Sequence, residues 1–226
     1  MKAIILAAGR GSRMGKLTDF LPKPLIAVNG KPLIMHALNA LPKEIDEYIV
    51  VIGYRGDDIR TFLGTSYGGN PIIYVWQQHP GTGGGLLSAR LHIESESFFM
   101  VTGSDDIFGQ GELNKLLGSV PTQGITFGSR ASARPESVTF DACSRLTGRQ
   151  RISANKPRHF GIGAYLLPPA LFKTPFERLQ NGEYSIPHSL TMQPFPVYVR
   201  IIQRWLPVNT PEELLIAERT IQEQEW

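Results

Sequence analysis

The chain has 226 residues, 42% hydrophobic and 19% charged, with a formal net charge of +3. That balance is too apolar for a disordered chain, and no Lys/Arg run interleaved with aromatics points to nucleic acid. A single cysteine, Cys143, excludes an internal disulfide and a cysteine metal cluster. The N-terminus lacks the parts of a signal peptide, and its apolar run falls short of the ~20 residues that span a bilayer. The expectation is a cytoplasmic protein of a reducing compartment, with neither nucleic-acid nor membrane partners.

Residues 3–8 are continuously apolar, as a buried parallel strand is. They run into a loop carrying Gly9, Gly11, Gly15, Arg10 and Arg13. After Pro32, apolar residues at 33, 34, 37, 38 and 41 recur at helical spacing, with Pro32 suited to a first turn. A strand is expected at 47–52, a short helix at 57–63, a strand at 71–76 and a glycine-entered helix at 83–91. A fourth strand, 98–102, ends at Gly103-Ser104-Asp105-Asp106. This alternation predicts an α/β fold of three layers, a central mixed, mostly parallel sheet with helices on both faces. In the second half, strands are expected at 124–129, 137–141, 151–154, 161–167 and 197–202. Helices are expected at 168–173 and 211–223, the latter with Thr210 as N-cap and Pro211 in its first position. No linker or repeat divides the chain, so residues 1–226 are expected to form one domain.

Ligands of open α/β sheets collect at the carboxyl ends of the strands. Segments 9–13, 77–82 and 103–106 each follow a predicted strand and should converge on one crevice. Glycines free backbone N–H groups to point at one spot, and such a nest binds an anion. Arg10 and Arg13 add fixed charge, and Lys23 is held between Pro22 and Pro24. A polyphosphate suits this arrangement. The P-loop run Gly-x-x-x-x-Gly-Lys-Ser/Thr is absent, and glycines at 9, 11 and 15 are one residue too long for the dinucleotide fingerprint. A Rossmann oxidoreductase is thereby disfavoured. No nucleophile motif is present, and the five histidines have no metal spacing.

Leu6-Ala-Ala-Gly-Arg-Gly-Ser-Arg-Met14, followed by Thr18 and Pro22-Lys-Pro-Leu25, resembles the signature of the sugar-phosphate nucleotidyltransferases. Later blocks resemble the same family in the same order: Pro80-Gly-Thr-Gly-Gly-Gly85, Gly103–Ile107, Asn155-Lys-Pro157 and Trp205–Leu214. The resemblance implies a Rossmann-like nucleotidyltransferase fold, with a nucleotide-binding core over 1–120 and a sugar-binding or lid portion over 121–226. It also implies an Mg²⁺-dependent reaction in which a sugar 1-phosphate attacks the α-phosphorus of an NTP, releasing pyrophosphate and forming an NDP-sugar. Such chemistry rests on positioning and charge neutralisation.

By this resemblance, Leu6, Ala7, Ala8, Gly9, Gly11 and Ser12 line the nucleotide. Arg13 grips the β- and γ-phosphates, because a guanidinium holds phosphate oxygens in pairs. Lys23 meets the α-phosphate as a point charge. Gln77 or Gln78, with Gly81 and Thr82, forms the base block; strand neighbours face opposite sides, so only one of the two glutamines is expected inward. Asp105 is the expected Mg²⁺ ligand, and Asn209, where the family often carries aspartate, is a second, uncharged one. Strand alternation is expected to turn Asp106 away from Asp105. Lys156 would meet the sugar phosphate, with Gly163 and Glu183 beside the sugar. Ser104, Asn155 and Asn209 depart from the family pattern. Two alternatives stay open: a cytidylyltransferase acting on choline or polyol phosphate, and a non-catalytic nucleotide- or sugar-binding module. Base, acceptor and oligomeric state are not encoded in these motifs.

Overall fold

The computed structural model describes residues 1–118, 125–131, 136–140, 146–151, 159–194 and 196–223. Strand β1 (Lys2–Ala7) buries Ala3, Ile4 and Ile5 completely. Alternate side chains leave a pleated strand on opposite faces. Accordingly Ala3, Ile5 and Ala7 join an apolar cluster with Ile34, Leu38, Ile59 and Leu63, whereas Ile4 joins another with Leu86, Ala89 and Phe99. Helices α1 (Leu33–Ala40) and α2 (Gly56–Leu63) thus cover one face of the sheet, and α3 (Gly81–Ala89) covers the other. The three layers follow from a strand that is apolar at every position from Ala3 on.

The remaining strands of the large sheet are β2 (Glu47–Ile52), β3 (Ser66–Tyr67), β4 (Asn70–Trp76), β5 (Phe99–Gly103), β6 (Ile125–Ala131), β7 (His159–Leu167) and β8 (Val197–Ile201). Among the described residues they form one eight-stranded sheet in the order β8-β6-β7-β5-β1-β2-β4-β3. Strand β1 runs parallel to both β2 and β5, and β2 runs parallel to β4. Strand β7 is antiparallel to β5 and β6, and β8 is parallel to β6. The sheet is therefore mixed, as expected, and takes strands from both halves of the chain.

Most predicted elements fall within two residues of their observed bounds. The expected strand at 151–154 lies outside the described residues beyond Arg151, which ends a strand Leu146–Arg151 paired antiparallel with Glu136–Phe140 outside the large sheet. Thr147, Gly148 and Gln150 give it no apolar alternation to read. The expected helix at 168–173 is a 3-10 turn, Pro169–Lys173. Helix α4 (Pro211–Gln222) has Thr210 as its N-cap, whose Oγ1 accepts the Glu213 N–H at 3.2 Å. Such a cap contributes ~1 kcal/mol.

A short pair not foreseen, Asp106–Phe108 with Trp205–Pro207, joins the two halves antiparallel. Beneath it a third apolar cluster packs Met14, Val28 and Leu33 against Ile107, Val208 and Ala217. Met14 keeps 1% of its surface exposed. Burial of a methionine is worth ~1.5–3 kcal/mol. The packing ties the loop after β1 to the entry of α4, which places Arg13 beside Asn209.

Candidate active site

The loop after β1 turns sharply at Gly11, whose φ is +69°. The Met14 N–H donates to the Gly11 carbonyl at 2.9 Å, and the buried Thr18 hydroxyl donates to the carbonyls of Gly11 and Gly15 at 3.3 and 3.1 Å. The Tyr54 hydroxyl in turn donates to the Thr18 carbonyl at 2.9 Å. Arg10 lies over the Tyr54 ring, 5.4 Å from its centroid, and 3.9 Å from Asp19. Arg10 is thus held at the rim.

Lys23 reaches the same spot from the turn Lys23–Leu25. Only 6% of the residue is exposed. Its ammonium donates to Asp105 Oδ2, and to Asn209 Oδ1 at 3.1 Å. Arg13 Nη2 donates to the same Asn209 oxygen at 2.9 Å. The Asn209 N–H is held by Glu213 Oε2 at 2.7 Å, one turn into α4. Two cations and two oxygen ligands from four separate segments therefore meet at one point. A charge shielded from water acts more strongly than one in bulk solvent.

Asp105 and Asp106 do not diverge, which corrects the expectation from strand alternation. Both carboxylates crowd the Cα of Gly103: a Cβ there would lie 2.7 Å from Asp105 Oδ1 and 3.1 Å from Asp106 Oδ2. The physical reason is the bend at 104–105 between β5 and Asp106–Phe108, which breaks the pleat. Burial, and then the neighbouring Asp105 carboxylate, push the Asp106 carboxyl well above the usual carboxylate range. Opposing them, the Trp205 indole N–H donates to Asp106 Oδ1 at 2.9 Å, and Lys23 adds positive charge.

On the opposite wall, Gln77 Nε2 donates to the carbonyls of His79 and Gly81 at 2.6 and 3.1 Å. This settles which glutamine faces inward: Gln77 lines the cleft, while the Gln78 N–H goes to Ser88 Oγ at 2.9 Å. Residues 80–83 pair with the chain near Tyr184. The Gly83 N–H donates to the Tyr184 carbonyl at 2.8 Å, the Tyr184 N–H to the Pro80 carbonyl at 2.9 Å, and the Ile186 N–H to Thr82 Oγ1 at 3.1 Å.

These segments enclose a cleft of about 580 Å³. Leu6, Ala7, Ala8, Gly9, Gly11, Arg13, Lys23, Gln77, Gly81, Thr82, Asp105, Gly163 and Glu183 all line it. Ser12 does not, although its short turn carries Arg13 and Met14. Asn209 stands behind Arg13 and Lys23 rather than on the wall. Lys156 lies outside the described residues. Tyr165, Tyr184 and Ser185 also line the cleft. They carry no motif signal, because a lone tyrosine or serine, in a strand as Tyr165 is or outside one, has many uses.

The model of the MobA-like NTP transferase domain matches residues 3–158, well over half of the chain. The chain belongs to this family, the sugar-phosphate nucleotidyltransferases. UTP–glucose-1-phosphate uridylyltransferase AglF of Haloferax volcanii is 29% identical over 99% of this chain and 98% of its own length. The bifunctional IPC transferase and DIPP synthase of Archaeoglobus fulgidus is 27% identical over 98% of this chain, which spans 44% of that longer protein. Among solved structures, the inositol-1-phosphate CTP transferase from T. maritima shares the fold with a TM-score of 0.78, at 19% identity over 99% of this chain and 96% of that one.

A nucleotidyltransferase of this family needs a place for a triphosphate between fixed cations. Arg13 and Lys23 face a cleft lined by residues from both halves of the chain. Among the described residues, no helix is long and apolar enough to cross a membrane.

Proposed function

We propose that this nucleotidyltransferase moves a nucleoside monophosphate unit from an NTP to a sugar 1-phosphate, releasing pyrophosphate, with Mg²⁺ as cofactor. The observation that carries the reading is the junction of Lys23, Asp105, Arg13 and Asn209. Similarity to AglF over nearly the whole of both chains supports a sugar 1-phosphate as acceptor.

The site's donor set fits the metal. Asp105 and Asn209 offer hard oxygen ligands, the kind Mg²⁺ takes. The Lys23 ammonium already lies against both oxygens, so the local charge suits a cation. When bound there, Mg²⁺ would neutralise phosphate charge against Asp105. Lys23 would meet the α-phosphate and steady the charge that grows as the acceptor oxygen attacks. Arg13 takes the β- and γ-phosphate oxygens in pairs and holds the leaving pyrophosphate. The backbone of residues 7–9 and the loop braced by Gln77 confine the nucleoside. No side chain acts as nucleophile. Fixed charge and alignment account for the acceleration, as removal of one such group typically costs ~10²–10³-fold in rate.

The test is a panel of the five common NTPs against sugar 1-phosphates, inositol 1-phosphate and choline phosphate, with pyrophosphate as readout and Mg²⁺ present. Inositol 1-phosphate is included because the T. maritima protein of this fold is an inositol-1-phosphate CTP transferase; choline phosphate represents the non-sugar alternative. Turnover with a sugar 1-phosphate is expected. Pyrophosphate from no pair, with nucleotide affinity indifferent to Mg²⁺, would instead mark a binding module.

A further inference from the structure

Tyr54 is not on the cleft wall, yet it holds the loop after β1 at both ends. It lies just past β2, the strand that runs beside β1. Its backbone N–H donates to the carbonyl of Ala8, a cleft residue, at 3.0 Å. The approach is close: a Cβ on the preceding Gly53 would lie 2.7 Å from the same Ala8 oxygen. At the far end of the loop, the Tyr54 hydroxyl donates to the carbonyls of Thr18 and Asp19 at 2.9 and 3.2 Å. The buried Thr18 hydroxyl passes the restraint on, since it donates to the carbonyls of Gly11 and Gly15. Those two residues flank the short turn Ser12–Met14 that carries Arg13. The Tyr54 ring also lies under Arg10, with the guanidinium 5.4 Å from its centroid.

A guanidinium grips phosphate oxygens in pairs only at a fixed spacing, so a shift of the loop is felt first by the β- and γ-phosphates. Carbonyl oxygens are acceptors and repel phosphate. Those of Gly11 and Gly15 are engaged by Thr18, whose own carbonyl is engaged by Tyr54. We propose that Tyr54 is a positioning residue for the triphosphate: its hydroxyl, acting through Thr18, sets the loop that presents Arg13, and so raises affinity for the β- and γ-phosphates from outside the cleft. This rests on the nucleotidyl-transfer reading and deepens it. Met14 in its apolar cluster and Asn209 beside Arg13 anchor the same turn from the other side. Loss of the hydroxyl therefore loosens the loop without unfolding it, and the effect is graded.

Tyr54→Phe tests it, because it removes the hydroxyl and leaves the ring under Arg10. Tyr54→Leu removes both. Calorimetry in the presence of Mg²⁺ follows inorganic tripolyphosphate, the five common NTPs and their monophosphates. Kinetics use the NTP and acceptor selected by the panel above. Tyr54→Phe should weaken tripolyphosphate and the preferred NTP by ~3–10-fold, about what one hydrogen bond contributes. Tyr54→Leu should weaken them further. In both variants the affinity of the matching monophosphate and the acceptor KM should stay within about twofold, as for a loss confined to the β- and γ-phosphates. Equal losses for monophosphate, NTP and acceptor would make the role structural and overturn the proposal. Unchanged tripolyphosphate and NTP affinity in Tyr54→Phe would overturn it as well. If the wild type releases no pyrophosphate with any pair, the nucleotidyl-transfer reading fails. Calorimetry still decides Tyr54 in that case: the proposal stands only if the wild type binds tripolyphosphate and Tyr54→Phe binds it more weakly.

Discussion

The stem of Lys23 lies against the bare Cα of Gly11: a Cβ on Gly11 would come within 2.8 Å of Lys23 Cβ. The loop after β1 and Lys23 are thus packed together, and Gly11 also holds a left-handed φ of +69°. Gly11→Ala should therefore act on Lys23 as well as on the loop. The backbone strain costs ~1 kcal/mol, and the displaced ammonium should lower kcat by ~10–10²-fold, since a misplaced group loses about that much. Lys23→Ala should lower kcat further, by ~10²–10³-fold, with a melting temperature close to wild type. Purified Gly11→Ala enzyme with wild-type kcat would show that this close approach does not set the position of Lys23.

Gly81 makes the corresponding contact on the opposite wall. Its φ is +85°, and a Cβ would lie 2.4 Å from the Tyr184 carbonyl oxygen. Gly81→Ala should break the pairing of residues 80–83 with the chain near Tyr184, which includes the 2.8 Å bond from the Gly83 N–H. Loss of one such bond with strain costs ~1–3 kcal/mol. Both nucleotide and acceptor affinities should fall, because the loop and its partner near Tyr184 both line the cleft. Separate titrations with each ligand check this; a loss confined to the nucleotide would contradict the coupling.

His36 offers a pH test outside the cleft. Burial, the largest effect, lowers its pKa below the usual 6.5, against the hydrogen bond between its Nε2 and the Val28 carbonyl at 3.1 Å. The unfolded chain then binds more protons than the folded one. Stability attributable to His36 is fully present above about pH 6.5 and is lost as pH falls through the folded value. Melting temperatures from pH 8 down to pH 5 should fall more for wild type than for His36→Gln, which cannot gain the charge. Parallel curves would remove His36 from the account.

The first half of the fold was legible because its signals are local. An unbroken apolar run such as Ala3-Ile4-Ile5 has one use, a strand covered on both faces. The sharp turn after β1 was legible from its glycines. The convergence of Asp105 and Asp106 was not, since it depends on a bend at 104–105 that interrupts the pleat. Nor was the pair Asp106–Phe108 with Trp205–Pro207, whose partners lie about a hundred residues apart. Three-residue strands carry too little pattern to announce a partner. Which glutamine faces the cleft was fixed only by the bonds of Gln77 Nε2 across its own loop.

Asn209 gives the sharpest test of the metal. Its Oδ1 faces the ammonium of Lys23 at 3.1 Å, and Lys23 also holds Asp105. If a divalent cation takes the place between these oxygens, Asn209→Asp supplies a better ligand, and the Mg²⁺ midpoint of turnover should fall by ~2–10-fold. The new carboxylate also faces Arg13, now 2.9 Å from the amide oxygen, with a charge-assisted bond that competes with phosphate. NTP KM should therefore rise at low Mg²⁺ and return toward wild type as the metal saturates. Direct Mn²⁺ binding, followed by its paramagnetic signal without substrates, gives a readout independent of turnover and should tighten in parallel. Helix entry is not a confounding term, because asparagine and aspartate serve comparably in such turns. Mg²⁺ and Mn²⁺ titrations that overlay the wild type would leave Asn209 as a brace for Arg13 and Lys23, with Asp105 as the ligand the metal proposal then rests on.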